Sequence, residues 1–327
     1  MYVVLGANGR AGGEVARALI ERGEAVRVVL RRKEQAENWK ALGAEVAIAS
    51  IADGDAMVEA LRGASAAFLL NPPPVSGDPY AVTEELGAAL ATAVRRAQLP
   101  KAVVLSSIGA QHTAGTGLIA TLNRFEALLD GAAPTIAFLR CGYFVETWGE
   151  VAEAVMSENI LPSFIEPSLK IPMVSTIDVG RMAASLLREE WMGRRIVEIA
   201  QDWSAADIAS AFGEVLGRQV RPVFVPREDR AALLADEGVP EVVAEALIGM
   251  YEGIANGLFT REQNNEHRRA TVPLTTATGR LVATMGAPDR RRAASLDRRW
   301  SGADPLSRRR SFDVSGENKI VGRREDP

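Results

Sequence analysis

Apolar residues along the chain come in short, largely β-branched runs separated by amphipathic stretches of helical period. Tyr2-Val-Val-Leu5 enters a glycine cluster, Gly6-Ala-Asn-Gly9-Arg-Ala-Gly12-Gly13, and Val15, Ala18 and Leu19 then fall on one helical face before a second run, Val26-Arg-Val-Val-Leu30. This predicts strand, tight turn, helix and strand. The alternation continues with helix near 34–42, strand 45–49, helix 55–61, strand 66–70, helix 79–97, strand 102–105, helix near 118–129 and strand 135–139. Strands separated by helices predict an α/β, doubly wound parallel sheet of Rossmann type. Ligands of such sheets lie beyond the strand C-terminal ends. Three loops therefore draw attention: Asn71-Pro-Pro-Pro74, Ser106-Ser107-Ile-Gly109 and Arg140-Cys-Gly-Tyr143-Phe144.

Beyond residue 145 the alternation loosens and the pattern becomes mostly helical. Ser175-Thr-Ile-Asp178 and Ser204-Ala-Ala-Asp207 have capping-box spacing before the helical runs 179–187 and 208–216. Strands are expected at 195–199 and at 220–225, the latter weakened by Pro222, and a helix over 241–256 stops at Gly257. The expected organisation is a nucleotide-binding domain over 1–145, a smaller and mostly helical substrate or partner lobe over 146–275, and a tail over 286–327. That tail holds 11 Lys+Arg, ten of them arginine, against 7 Asp+Glu with few large apolar residues, a composition expected to be disordered or to meet an anionic partner.

The glycine turn carries the first chemistry. Gly6 permits a sharp exit from the strand, Gly9 lets backbone approach a pyrophosphate, and Gly12 or Gly13 lets the helix pack closely on the sheet. Gly6, Asn8, Gly9, Arg10, Ala11 and Gly12 are thus the expected phosphate-binding residues. At the end of the second strand stand Arg31, Arg32 and Lys33, with no acid before Glu34. An acid there would hold a ribose 2′-hydroxyl; arginines suit a 2′-phosphate. NADP(H) is the preferred cofactor, with NAD(H) left open.

Bulk composition narrows the field. The 327 residues are 47% hydrophobic and carry a net charge of −4, which suits a globular chain and offers no general reason to bind nucleic acid, the Arg-rich tail excepted. No stretch approaches 18 consecutive apolar residues and the first strand follows Met1 directly, so no membrane partner and a cytoplasmic location are expected. One cysteine, Cys141, excludes an internal disulfide, and two distant histidines, His112 and His267, argue against a metal site.

Gly6-Ala-Asn-Gly9, Arg31-Arg32, Val104-Leu-Ser-Ser107-Ile-Gly-Ala110, Leu139-Arg-Cys-Gly-Tyr-Phe144 and Val174-Ser-Thr-Ile-Asp178-Val-Gly180 together resemble the NmrA-like branch of atypical short-chain dehydrogenases/reductases. The resemblance covers about residues 1–275. It implies an NAD(P)-binding Rossmann domain with a small C-terminal lobe, and either a quinone-type reductase or a redox-sensing regulator of a protein partner. Three positions depart from the family pattern: Ala49-Ser50 replaces a Gly-Asp, Cys141 replaces a proline, and no lysine stands on the helix Gly117-Leu-Ile-Ala-Thr121-Leu-Asn123-Arg124.

A tyrosine-lysine pair four residues apart would lower the tyrosine pKa for acid–base work. Four residues after Tyr2, Tyr80, Tyr143 and Tyr251 stand Gly6, Glu84, Thr147 and Ala255, so that mechanism is not expected. Hydride transfer to a quinone-like substrate asks only for stacking and a hydrogen-bond donor. Ser106, Ser107 and His112 are the candidate catalytic groups, while Asn71, Tyr143 and Phe144 are expected to border the cofactor.

Overall fold

Each β-branched run becomes one strand of a parallel sheet, and each amphipathic stretch one covering helix. The computed structural model describes residues 1–74 and 76–285. β1 (Tyr2–Leu5), α1 (Arg10–Ile20), β2 (Val26–Leu30), α2 (Ala36–Ala41), β3 (Glu45–Ile48), α3 (Gly54–Leu61), β4 (Ala66–Leu69), α4 (Pro79–Arg96), β5 (Lys101–Ser107), α5 (Ala120–Leu129) and β6 (Thr135–Cys141) follow in order. The strands lie as β3-β2-β1-β4-β5-β6, all parallel, the arrangement of a dinucleotide-type doubly wound sheet. The strand period of two sends Val4 into one core cluster with Val15 and Leu19 of α1, and Val3 and Leu5 into the other with Leu61, Leu90 and Phe125. Burial of each such side chain contributes about 1.5–3 kcal/mol.

The remaining elements are β7 (Tyr143–Phe144), α6 (Ala152–Glu158), β8 (Ile160–Ser163), β9 (Ile171–Val174), α7 (Thr176–Arg188), β10 (Gly193–Trp203), α8 (Ala205–Leu216), β11 (Arg221–Phe224), α9 (Arg227–Asp236), α10 (Glu241–Ala255), β12 (Glu266–Arg269) and α11 (Leu274–Met285). β10 returns to the main sheet, pairing with β6 from Gly193↔Thr135 to Ile199↔Cys141, and also pairs with β9 and β12. β8 and β11 make a separate two-stranded sheet in which Pro222 is tolerated. Helix α7 lies hard against α1: a Cβ on Gly180 would stand 2.5 Å from Glu14 Cβ. Residues Met1–Val282 form one compact unit. The Arg-rich stretch 286–327 lies outside the described residues.

Several expected boundaries move. The helix expected at 34–42 opens as a 3-10 turn, Lys33–Gln35, and the one expected at 118–129 opens as Gly117–Ile119. β5 and β6 run two residues further than expected, so Ser106 and Ser107 are ladder residues opposite Arg140 and Cys141 rather than loop residues. Ser204 and Asp207 form the expected capping box. Ser175 caps α7, but Asp178 turns away to accept from Thr271 N, Thr271 Oγ1 and Val272 N at 2.8–2.9 Å.

Candidate functional site

The glycine turn is a backbone device. Gly6 sits at φ +67°, and its carbonyl accepts from Gly9 N at 2.8 Å. Gly9 then caps α1 without any side-chain hydrogen bond, leaving the first amides of the helix with no side-chain acceptor. Gly12 is the wedge: a Cβ there would lie 2.4 Å from Gly6 O and 2.6 Å from Leu5 O. A helix N-terminus of this kind, with Ala11 buried behind it, suits a phosphate.

Asn8 is committed within the protein. Its Nδ2 donates to Gln35 Oε1 at 2.6 Å and its Oδ1 accepts from Trp39 Nε1 at 2.8 Å, which fastens the turn to the segment following β2. Arg31 and Arg32 at the start of that segment are exposed, and no ion pair engages either one among the described residues. Arg10, in contrast, reaches Glu150 Oε1 at 3.0 Å. At the exit of β4, Leu70 fills the space beside Gly6, and Asn71 follows. Asn71 Nδ2 donates to Thr83 Oγ1 at 2.9 Å, while its Oδ1 is buried without a partner.

The candidate catalytic groups separate. Ser106 is buried and donates to Glu126 Oε1 at 2.5 Å; Glu126 accepts from Arg140 Nε and Nη2 at 2.9 and 2.8 Å, and Arg140 Nη1 reaches Glu262 at 2.5 Å. The Ser106 hydroxyl thus serves this ion network instead of the loop where it was expected. Strand alternation sends Ser107 to the other face, where its hydroxyl donates to Ile108 O at 2.9 Å. His112 Nε2 donates to Leu258 O at 3.1 Å, a carbonyl that can only accept, which fixes the hydrogen on Nε2. Arg124 is held by Glu84, and Asn123 by Ala110 O at 2.8 Å. Cys141 is fully buried, and desolvation pushes its thiol far above the ordinary range, leaving it unreactive.

Tyr143 and Phe144 are half-buried beyond the end of β6, and Phe144 packs on the core cluster shared by α1 and α7. Tyr143 meets a residue that the sequence did not single out: its hydroxyl lies 3.0 Å from that of Tyr251 on α10. Trp148 packs beside Tyr143 with ring centroids 6.0 Å apart, and Phe164 sets its edge to Tyr251 at 5.1 Å. Burial raises both phenol pKa values, that of Tyr251 to about 12, so both stay protonated at neutral pH.

The sequence pattern of the NmrA-like family matches residues 2–261. The chain belongs to the NmrA-like family. Among its curated relatives, quinone oxidoreductase 2 of Escherichia coli strain K12 is 24% identical over 261 residues, which span 79% of this chain and 89% of that protein. The fold is similar to the crystal structure of an NADPH-dependent quinone oxidoreductase of Escherichia coli complexed with NADPH, at TM-score 0.72 and 22% identity, covering 86% of this chain and 100% of the other. It is also similar to a Citrobacter sp. triphenylmethane reductase complexed with NADP(H), at TM-score 0.69 and 20% identity, covering 85% and 95%.

A concavity of about 470 Å³ lies at the end of this NmrA-like sheet away from the glycine turn, between Ser65, Pro100, Lys101, Thr135 and Trp191. Its Lys101 ammonium already donates to Leu187 O and Glu189 O, whereas its Trp191 Nε1 is buried without an acceptor. Among the described residues no cluster of three or more His, Cys, Asp or Glu could hold a metal ion, and no helix is long and apolar enough to cross a membrane.

Proposed function

We propose that this chain binds NADP(H), with the pyrophosphate over the Gly6–Gly12 turn and the 2′-phosphate at Arg31 and Arg32, and uses it to reduce quinones or similar small conjugated carbonyls. The observation that carries this reading is the pair of exposed arginines at the exit of β2, without acidic partners and fastened to the glycine turn through Asn8. Two forked cations there favour a phosphate over a bare ribose hydroxyl, which makes NAD(H) the weaker ligand. The quinone oxidoreductase and triphenylmethane reductase likenesses support reduction of a flat conjugated acceptor.

The residues present fit the cofactor. Asn71 brings a buried, unpartnered oxygen to the β4 exit and can accept a hydrogen bond from a bound ligand; the Pro72–Pro74 run stiffens the loop behind it. The nicotinamide, when bound, supplies the hydride. Tyr143 and Phe144 wall its neighbourhood and exclude water. Ser106 takes no part in this reading, because its hydroxyl is engaged with Glu126. Ser107 and His112 remain candidates to hold or pass a proton, Ser107 through its lone pairs and His112 through Nδ1.

The test is NADPH consumption with a series of simple quinones, comparing the wild type with Arg31→Ala/Arg32→Ala. Quinone-dependent consumption whose KM for NADPH rises in the variant, with NADH use little changed, supports the reading. Cofactor binding without turnover of any quinone or dye contradicts the reductase and favours a sensor of cofactor occupancy that acts on a protein partner.

A further inference from the structure

Apart from the residues proposed to hold the phosphates, the described residues contain hydrogen-bond donors for which the protein supplies no acceptor. The hydroxyls of Tyr143 and Tyr251 lie 3.0 Å apart. Each carries one hydrogen, and a single bond between them uses only one, so whichever hydroxyl accepts keeps its own O–H free. The ring of Trp148 packs against Tyr143, and its Nε1–H is buried without an acceptor. The Trp148 donor is fully buried, which is costly and therefore rare in folded proteins, whereas the half-buried tyrosines can offer their free O–H to a ligand.

We infer that Tyr143, Tyr251 and Trp148 form a substrate subsite, rich in donors and poor in acceptors, that recognises the carbonyl oxygens of a flat conjugated molecule. This rests on the reductase reading for its place in the reaction. Phe164, edge-on to Tyr251 at 5.1 Å, extends the aromatic surface that such a molecule would contact. The location is suitable, because Tyr143 follows the end of β6 directly and feels the charges of Arg10, the first residue of α1, and of Glu150. Glu150, whose charge reaches both phenols, is itself bridged to Arg10.

Both phenols are protonated at neutral pH and burial only raises them further, so they act as donors and not as bases. Reduction of a quinone by a hydride, two electrons and one hydrogen, which bound NADPH would supply in becoming oxidised, would leave a hydroquinone monoanion. The free O–H of the pair steadies the anionic oxygen, and a proton from water completes the hydroquinone.

Counting donors gives an unusual expectation. Tyr143→Phe or Tyr251→Phe alone removes the internal bond yet leaves one free O–H, whereas the double variant leaves none. The double variant is expected to lower kcat/KM for 1,4-naphthoquinone by about 10²-fold and each single variant by less than about tenfold. Trp148→Phe serves as a second, conservative probe and should weaken the same ligand. Calorimetric titration with 1,4-naphthoquinone, in the presence and absence of NADP, reads the subsite without turnover, and a thermal melt checks that each variant is folded. Loss of naphthoquinone affinity in the double and Trp148 variants with the thermal melt retained supports the inference. Unchanged naphthoquinone affinity in the folded double variant overturns it. Failure of the wild type to bind NADPH would overturn the reductase reading alone, because the titration of the cofactor-free protein still decides the subsite.

Discussion

The indole Nε1 of Trp39 donates to Oδ1 of Asn8 at 2.8 Å, joining the glycine turn after β1 to the helix that follows the two arginines. Through it, the residues proposed to hold the pyrophosphate and those proposed to hold the 2′-phosphate share one rigid support. Trp39 is 4% exposed and lies beneath the Arg17 guanidinium.

Asn8→Ala is therefore expected to cost about 1–3 kcal/mol by stranding that buried donor. It should also weaken NADPH more than NADH, because the arginine segment loses its anchor. A thermal melt and paired cofactor titrations check both; equal weakening of the two cofactors would mean that Asn8 does not position Arg31 and Arg32.

Gly12→Ala places a methyl group 2.4 Å from Gly6 O, against backbone that cannot yield. We expect loss of dinucleotide binding together with about 1–3 kcal/mol of destabilisation from overpacking. Gly54→Ala is the matched control: nothing lies within 4 Å of its Cβ position, at the start of α3, and the change should be neutral or stabilise by up to about 1 kcal/mol. Denaturant midpoints of the two variants should move in opposite directions, or the control should not move.

The Ser106–Glu126–Arg140 network is expected to be structural. Arg140 and Glu126 side chains are 5% and 6% exposed, so Arg140→Met strands a carboxylate and should cost about 3–5 kcal/mol. Ser106→Ala removes one neutral donor and should cost about 1–3 kcal/mol while leaving the KM for both substrates unaltered. Loss of turnover in a Ser106→Ala protein of unchanged stability would restore the serine to the chemistry.

The tyrosine pair predicts an alkaline signature. A phenol whose pKa is raised on folding binds more protons folded than unfolded between the unfolded value, about 10, and the folded one, so stability falls as pH climbs through that window. Tyr251, pushed up to about 12, and Tyr143, raised well above its ordinary value by burial, should resist ionisation near pH 10 in the native protein and titrate together with unfolding. Phenolate absorbance that develops fully near pH 10 without loss of structure would contradict this.

What could be read from sequence was local. Tyr2–Leu5, Gly6, Gly9, Gly12 and Val26–Leu30 announce strand, turn and helix within thirty residues, and the arginines follow at once. Local polarity misled at the ends of β5 and β6: Ser106 and Arg140 break the apolar runs, yet both are buried because Glu126, 20 residues beyond Ser106 and 14 before Arg140, satisfies them. Tyr251 carried no sequence signal, since its partner Tyr143 is 108 residues away and only the fold brings the hydroxyls together. Asp178 illustrates the same limit: its capping-box spacing is correct, but Thr271 and Val272 supply stronger donors from 93 and 94 residues away.

The most direct test of the central claim is calorimetric titration of the wild-type chain with NADPH and NADH under identical conditions. NADPH should bind at least about tenfold more tightly, a difference near 1.4 kcal/mol, and the margin should disappear in Arg31→Ala/Arg32→Ala. Equal affinities in the wild type, or a preference that survives loss of both arginines, would contradict it.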